Sequence, residues 1–279
     1  MKIGCGTVLF RKFELERALA AIREVGFEYF ETQAVGPWCP HVNVETDDPE
    51  TLVRLKNKYG FKEITGLWSL NGNIIRNPNA VESVIRSIEW AAAAGIPIVH
   101  TGDGAKPKDV DMSDEDAYKI LGERLAILTE AARKNGVKLA IEPHGIFSLT
   151  GKGLKRIMEI DSSDALGINY DACNIFRASY VESGNNKSGW VCADGKEDEL
   201  AVLHQIGDRV IHCHAKDVIG KDCVAVGTGV VNVKGCVEYL KSIGYQGVVS
   251  VETEGGDDFD AICRLAKDSY NYLCTLIAK

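Results

Sequence analysis

Apolar positions along the chain fall into two patterns. Leu15, Ala18, Leu19, Ile22 and Val25 keep the three-and-four step of one helical face, and so do Leu121, Leu125, Leu128 and Ala132. The same step returns in Val233, Cys236, Val237 and Leu240, and in the last stretch, Phe259, Ile262, Cys263, Ala266, Tyr270, Leu273 and Ile277. Between these amphipathic stretches lie short runs that are almost continuously apolar, as strands buried on both faces are. They predict strands near residues 2–6, 28–33, 62–68, 96–102, 138–143, 165–171, 209–215 and 247–253. Six glycines, Gly26, Gly60, Gly95, Gly136, Gly207 and Gly244, stand where a helical stretch gives way to the next run, the place of a left-handed C-cap. The first three recur about 35 residues apart, close to one βα unit.

Eight strands alternating with eight helices predict an α/β protein, a closed (β/α)8 barrel of the TIM type, with residues 1–279 forming one domain. A doubly wound open sheet is the rival arrangement, but no GxGxxG loop follows the first strand. The stretch from Ile175 to Lys196 carries GNNKSG and Trp190 with little periodicity, and reads as a long loop hanging over the sixth strand.

Composition narrows the classes of partner. A net charge of −8 repels phosphate backbones, so nucleic acid is not an expected partner. The opening MKIGCGTVLFRKFELE lacks a long apolar core, and no run of roughly 18 apolar residues occurs, so no membrane partner is expected. Nine scattered cysteines with no CxxC pair read as reduced thiols, which together predicts a cytoplasmic protein. Assembly as a homodimer or homotetramer is left open.

The chemistry concentrates at strand ends. Glu142, Asp171, His214 and Glu252 each close a separate apolar run, and side chains ending different parallel strands converge at the mouth of a barrel. Three carboxylates and one imidazole form a hard, oxygen-rich site for one divalent metal ion, with Mn²⁺ the first candidate and Mg²⁺, Co²⁺ or Zn²⁺ the alternatives. Any one of these carboxylates alone would read as a helix cap or an ion-pair partner. Four at successive strand ends read as a site.

The motifs Ile141-Glu142-Pro143-His144, Asp171-Ala172-Cys173-Asn174, His212-Cys213-His214-Ala215-Lys216-Asp217, Val226-Gly227-Thr228-Gly229 and Gly247-Val248-Val249-Ser250-Val251-Glu252 resemble those of the xylose isomerase-like TIM barrels. That superfamily includes ketose 3-epimerases, inosose dehydratases, hydroxypyruvate isomerases and abasic-site endonucleases. The resemblance spans the second half of the chain, whereas the first half agrees only in its βα rhythm. It implies that Glu142, Asp171, His214 and Glu252 hold the metal and that Glu142 and Glu252 act as an acid/base pair, as in the ketose 3-epimerase branch. The implied activity is isomerisation or epimerisation of a sugar, keto-sugar or polyol derivative. A proton moves beside a metal-chelated carbonyl, through an enediolate. The alternatives are a lyase of the inosose dehydratase or 3-keto-glycoside-cleaving kind with the same site, and a non-catalytic metal-binding barrel. The nuclease branch keeps a histidine where this chain has Asn174, and further ligands where it runs VAVGTGVVN, so an endonuclease is not expected.

Around the four ligands, His144 and Lys216 lie two residues past Glu142 and His214, on the same strand faces, and are candidates for substrate contact. A partner of Glu142 is the other reading for His144, and a surface ion pair with Asp217 the other for Lys216. His100 in IVHTGDG, Asn174 and Trp68 complete the substrate-binding candidates; plain alternatives are a loop hydrogen bond, a turn cap and a core aromatic. His212 reads as a packed, orienting residue one layer beneath His214. Trp38 and His41 share the VGPWCPHVN loop, which places His41 at the mouth, and Glu254 and Asp257 read as a solvated helix start.

Overall fold

A computed structural model of the chain describes residues 1–69, 73–107, 110–182 and 197–277. Eight parallel strands close into a barrel: β1 (Lys2–Gly6), β2 (Tyr29–Ala34), β3 (Glu63–Ser69), β4 (Ile98–Thr101), β5 (Lys138–Ile141), β6 (Leu166–Asp171), β7 (Val210–Ala215) and, after a small antiparallel hairpin of β8 (Asp217–Ile219) and β9 (Asp222–Val224), β10 (Val248–Val251). Lys2 to Cys5 of β1 pair with Val248 to Val251 of β10 and shut the ring. The eight predicted strands are all present, shifted or shortened by a residue or two at their ends.

Around the barrel run α1 (Leu15–Val25), α2 (Pro49–Tyr59), α3 (Ala80–Ala93), α4 (Asp114–Asn135), α5 (Gly151–Met158), α6 (Ala172–Glu182), α7 (Glu199–Ile206), α8 (Val233–Ser242) and α9 (Phe259–Ile277). Their buried faces carry the predicted apolar spacing, as in Ala18, Leu19, Ile22 and Val25 of α1. Side-chain caps hold several starts: Ser113 accepts from the Asp116 amide and Asp198 from the Ala201 amide, each at 3.0 Å. No helix among the described residues is long and apolar enough to cross a membrane.

Two predicted details differ. The described residues hold nine helices rather than eight, because the crossover from β6 to β7 contains both α6 and α7. The stretch predicted as a loop from Ile175 therefore begins as helix. The Asp171 carboxylate accepts the Asn174 amide at 3.0 Å where α6 starts, and no glycine or proline interrupts the sequence down to Glu182. The rest of that predicted loop, residues 183–196 with Trp190, lies outside the described residues. The second difference is Gly207. Five of the six glycines have the positive φ of a left-handed cap, but Gly207 sits at φ −58° and opens a 3-10 turn. A Cβ there would lie 2.7 Å from the Tyr239 ring, so close packing rather than backbone freedom keeps it a glycine.

The barrel interior is polar beneath the site. Glu31, Thr65, His100, Asn169, His212 and Ser250 are all buried, at positions where apolar residues would fill a barrel of this kind. Gly66 makes the room, since a Cβ on it would stand 1.9 Å from His100 Nε2.

Candidate metal centre

The ends of four strands bring the four predicted ligands together. Glu142 and Glu252 follow β5 and β10 by one residue, while Asp171 ends β6 and pairs in register with His214 of β7. One oxygen or nitrogen atom from each lies within 4.8 Å of the others, and all four side chains are buried. Three carboxylates so close in a dry site need positive charge. Lys216 supplies part of it, its ammonium standing 3.2 Å from Asp171 Oδ2 and 2.5 Å from Glu252 Oε2. Neither approach has hydrogen-bond geometry, so both oxygens are buried without a hydrogen-bond partner. Unsatisfied carboxylate oxygens of this kind, with one imidazole nitrogen among them, fit a divalent cation.

The two glutamates stand in different surroundings. Glu142 Oε1 accepts from Asn174 Nδ2 at 2.9 Å and faces His144 Nδ1 at the same distance, while Oε2 accepts from Asn169 Nδ2 at 3.0 Å. Burial pushes the Glu142 carboxyl up, but His144 and His214 outweigh it and hold the group well below the usual range. Glu252 has Gln33 Nε2 donating to Oε1 at 3.1 Å. There burial prevails over Lys216 and His214, and the carboxyl is raised. Burial acts to lower His214, yet Glu31, Glu252 and Glu142 together raise it well above its usual value.

Glu31 on β2 is a member of this assembly that the sequence reading did not pick out. His214 presents Nδ1 to Glu142 Oε2 at 3.4 Å and to Glu252 Oε2 at 3.5 Å, and Nε2 to Glu31 Oε1 at 2.9 Å. Ser250 Oγ donates to the same Glu31 oxygen at 3.0 Å, and the Nε2 atoms of His100 and His212 each lie 3.5 Å from Glu31 Oε2. Burial works against the charge on Glu31, but the imidazoles of His214, His212 and His100 carry its carboxyl down to about 2. Burial also lowers His100 to about 4 and His212 well below its usual value, in contrast to His214, which the surrounding carboxylates raise. Glu31, His212 and His214 form a second group close enough to hold an ion. Gln33 and Asn169 also escaped the sequence reading. Each had a signal: a polar residue inside a predicted strand buried on both faces must have a partner there.

The remaining candidates are placed as follows. Asn174 sits in the first turn of α6, bonded to Glu142 and 3.1 Å from His144 Nδ1. The Trp68 ring is buried, 5.0 Å between centroids from the His144 ring. Lys216 turns into the site and not toward Asp217. The Asp217 carboxylate instead accepts the amides of Val218, Gly227, Gly229 and Val231. His100 lies in the deeper layer, its ring 4.3 Å from that of His212. His41 is not at the mouth: it is buried, with Nε2 2.9 Å from the Phe13 carbonyl, because the loop folds it onto the start of α1. Trp38 is 42% exposed, with the Arg11 guanidinium 4.7 Å above its ring.

Comparison with known proteins agrees with this architecture. The family profile described as xylose isomerase-like TIM barrel matches residues 19–273. A Methanocaldococcus jannaschii protein described as uncharacterized is 25% identical over 268 residues, 91% of this chain and 84% of that protein. Among solved structures, a D-tagatose 3-epimerase-like protein superposes with a TM-score of 0.75 at 22% identity, covering 100% of this chain and 97% of that one. The IolI protein, solved with a bound zinc atom, superposes with a TM-score of 0.76 at 16% identity, covering 100% and 98%. At such identities the structural likeness establishes the fold.

Proposed function

The chain belongs to the xylose isomerase-like TIM barrel family, and from that premise we propose that it is a divalent-metal-dependent sugar isomerase or epimerase. The observation that carries this reading is the convergence of Glu142 and Glu252, from β5 and β10, on one buried group of ligand atoms with Asp171 and His214. A likeness in fold to a D-tagatose 3-epimerase-like protein supports the substrate class, a keto-sugar or related polyol derivative. Glu142, Asp171, His214 and Glu252 would hold the ion, with Mn²⁺ our first candidate. When bound it supplies Lewis acidity that makes the hydrogen beside a substrate carbonyl acidic.

The chain's own groups do the rest. One glutamate takes the proton from the carbon next to the carbonyl, and the other returns a proton to that carbon from the opposite face, which inverts it. Return to the neighbouring carbon instead exchanges aldose and ketose. Lys216, His144 and Asn174 stand beside the two glutamates and would orient hydroxyl and carbonyl oxygens. Trp68, packed next to His144, offers an apolar face for sugar C–H groups. Burial of these side chains would limit the access of water to the reacting carbon.

The test is incubation of the protein with Mn²⁺ and a panel of keto-sugars in D₂O. Deuterium at the substrate carbon, without loss of mass and absent in Glu252→Gln, is the expected result. Dehydrated or cleaved products would make the protein a lyase working from the same glutamates. No exchange with any keto-sugar would end the isomerase reading.

A further inference from the structure

We propose that Glu31 is a positioning residue that fixes His214 as a metal ligand, by taking the hydrogen on Nε2 and so leaving the Nδ1 lone pair toward Glu142, Asp171 and Glu252. The inference rests on the metal reading above. A neutral imidazole carries one hydrogen, and only the bare nitrogen can ligate. The two nitrogens of His214 face opposite layers: Nδ1 looks at Glu142 Oε2 and Glu252 Oε2, and Nε2 at Glu31 Oε1, 2.9 Å away. With the hydrogen on Nε2, a carboxylate receives it and the ligand side is bare. With the hydrogen on Nδ1, the Nε2 lone pair would face a carboxylate oxygen and the hydrogen would point at the cation. Glu31 therefore selects the ligating tautomer, the role that carboxylates beneath metal-bound histidines play elsewhere.

Glu31 is itself held in place. Ser250 Oγ donates to its Oε1 at 3.0 Å, while His212 Nε2 is only a neighbour of Oε2, 3.5 Å away. His212 Nδ1 donates to Asn169 Oδ1 at 2.9 Å, and the Asn169 amide donates to Glu142 Oε2 at 3.0 Å. The chain of contacts runs from Glu31 through His212 and Asn169 to Glu142 and back through His214. A carboxylate at this depth is unfavourable unless paired, and apolar residues fill the same layer of barrels whose interior only packs. Gly66, whose missing side chain admits His100, shows the barrel opened to accommodate these groups.

The experiment compares metal-stripped wild type with Glu31→Gln and Glu31→Leu, titrated with Mn²⁺ by calorimetry. It then reads the His214 ring nitrogens by long-range ¹H–¹⁵N correlation in the Zn²⁺-loaded proteins. Wild type should bind one cation, with Nδ1 ligated and Nε2 protonated. Glu31→Leu should bind roughly 10- to 100-fold more weakly and lose the fixed tautomer. Glu31→Gln, which keeps an acceptor oxygen, should recover part of the affinity and the tautomer; should the leucine variant not fold, Glu31→Gln against wild type decides. Equal affinity and an unchanged tautomer in the variants would overturn the inference while leaving the metal site standing. Two cations per wild-type chain, one lost with Glu31, would overturn it by making Glu31 a ligand. Failure of wild type to bind any divalent cation would instead remove the metal reading on which it rests.

Discussion

Exchanging Asn169 for aspartate replaces one NH₂ group by an oxygen and leaves the side chain's shape alone. Asn169 is fully buried, donates to Glu142 Oε2 at 3.0 Å and accepts from His212 Nδ1 at 2.9 Å. Aspartate keeps the second bond but turns the first into two carboxylates face to face. Unit charges 3.0 Å apart repel by about 5 kcal/mol at an effective dielectric of about 20. Keeping a proton on one ordinary carboxyl at pH 7 costs about 4 kcal/mol. The smaller penalty prevails, and His214, whose ring nitrogens lie 3.3 and 3.2 Å from the same atom, offsets part of it, so the pair retains a proton and the metal-free variant loses at most about 4 kcal/mol of stability at pH 7, a large part of a typical domain's margin. The sign with pH follows. The retained proton means a folded pKa above the unfolded one, so the variant's deficit is greatest at high pH. It shrinks by about 1.4 kcal/mol for each pH unit lowered toward the unfolded value near 4. Urea unfolding in EDTA at pH 7 and pH 5 should therefore show the gap to wild type closing by up to about 2.8 kcal/mol. An equal gap at both pH values, or no gap, would refute the reasoning, because no proton would then be taken up between Glu142 and the new carboxylate.

Two further outcomes are expected. Lys216→Met removes the buried ammonium beside Asp171 and Glu252, so the metal-free protein should lose about 3–5 kcal/mol. Excess Mn²⁺ should then raise its Tm by more than it raises that of wild type, and equal gains in thermal melts would show that ammonium and cation do not answer to the same carboxylates. Asp217→Asn replaces a carboxylate that accepts four backbone amides at 2.9–3.0 Å by a group with a single acceptor oxygen. A loss of about 2–3 kcal/mol should follow, with faster hydrogen exchange at Gly227, Gly229 and Val231 by mass spectrometry; unchanged exchange would dismiss Asp217 as the organiser of that loop.

The barrel and the convergence of the four candidate ligands were legible because both leave periodic traces. Strands buried on two faces are apolar runs, and a charged residue at the end of such a run stands out, as Glu142 does after LAI and Glu252 after VVSV. Glu31 was not legible by that rule, since YFETQA is mixed in polarity and its glutamate lies inside the strand rather than at its end. Asn169 was hidden in the same way within LGINYD. His212 could be placed beneath His214 because a two-residue step repeats the strand face. The partner of Lys216 could not be deduced, because Lys216 and Asp217 are neighbours in sequence while a strand's alternation sends them to opposite sides. From Ile175 onward α6 reads as loop because it runs straight into GNNKSG and Trp190, a stretch with little periodicity.

The polar layer beneath the ligands also governs traffic. His100, His212, Asn169 and Thr65 plug the barrel below Glu142 and His214, and each is buried to within 3%. Among the described residues these side chains close the barrel beneath the ligand atoms, which leaves the carboxyl ends of the strands as the side of approach. A cation held at that depth would lie beneath any sugar bound over it and could leave only after the sugar had gone. On the proposed function, binding would be ordered, ion before sugar, and a chelator should strip the protein slowly in the presence of substrate and quickly in its absence.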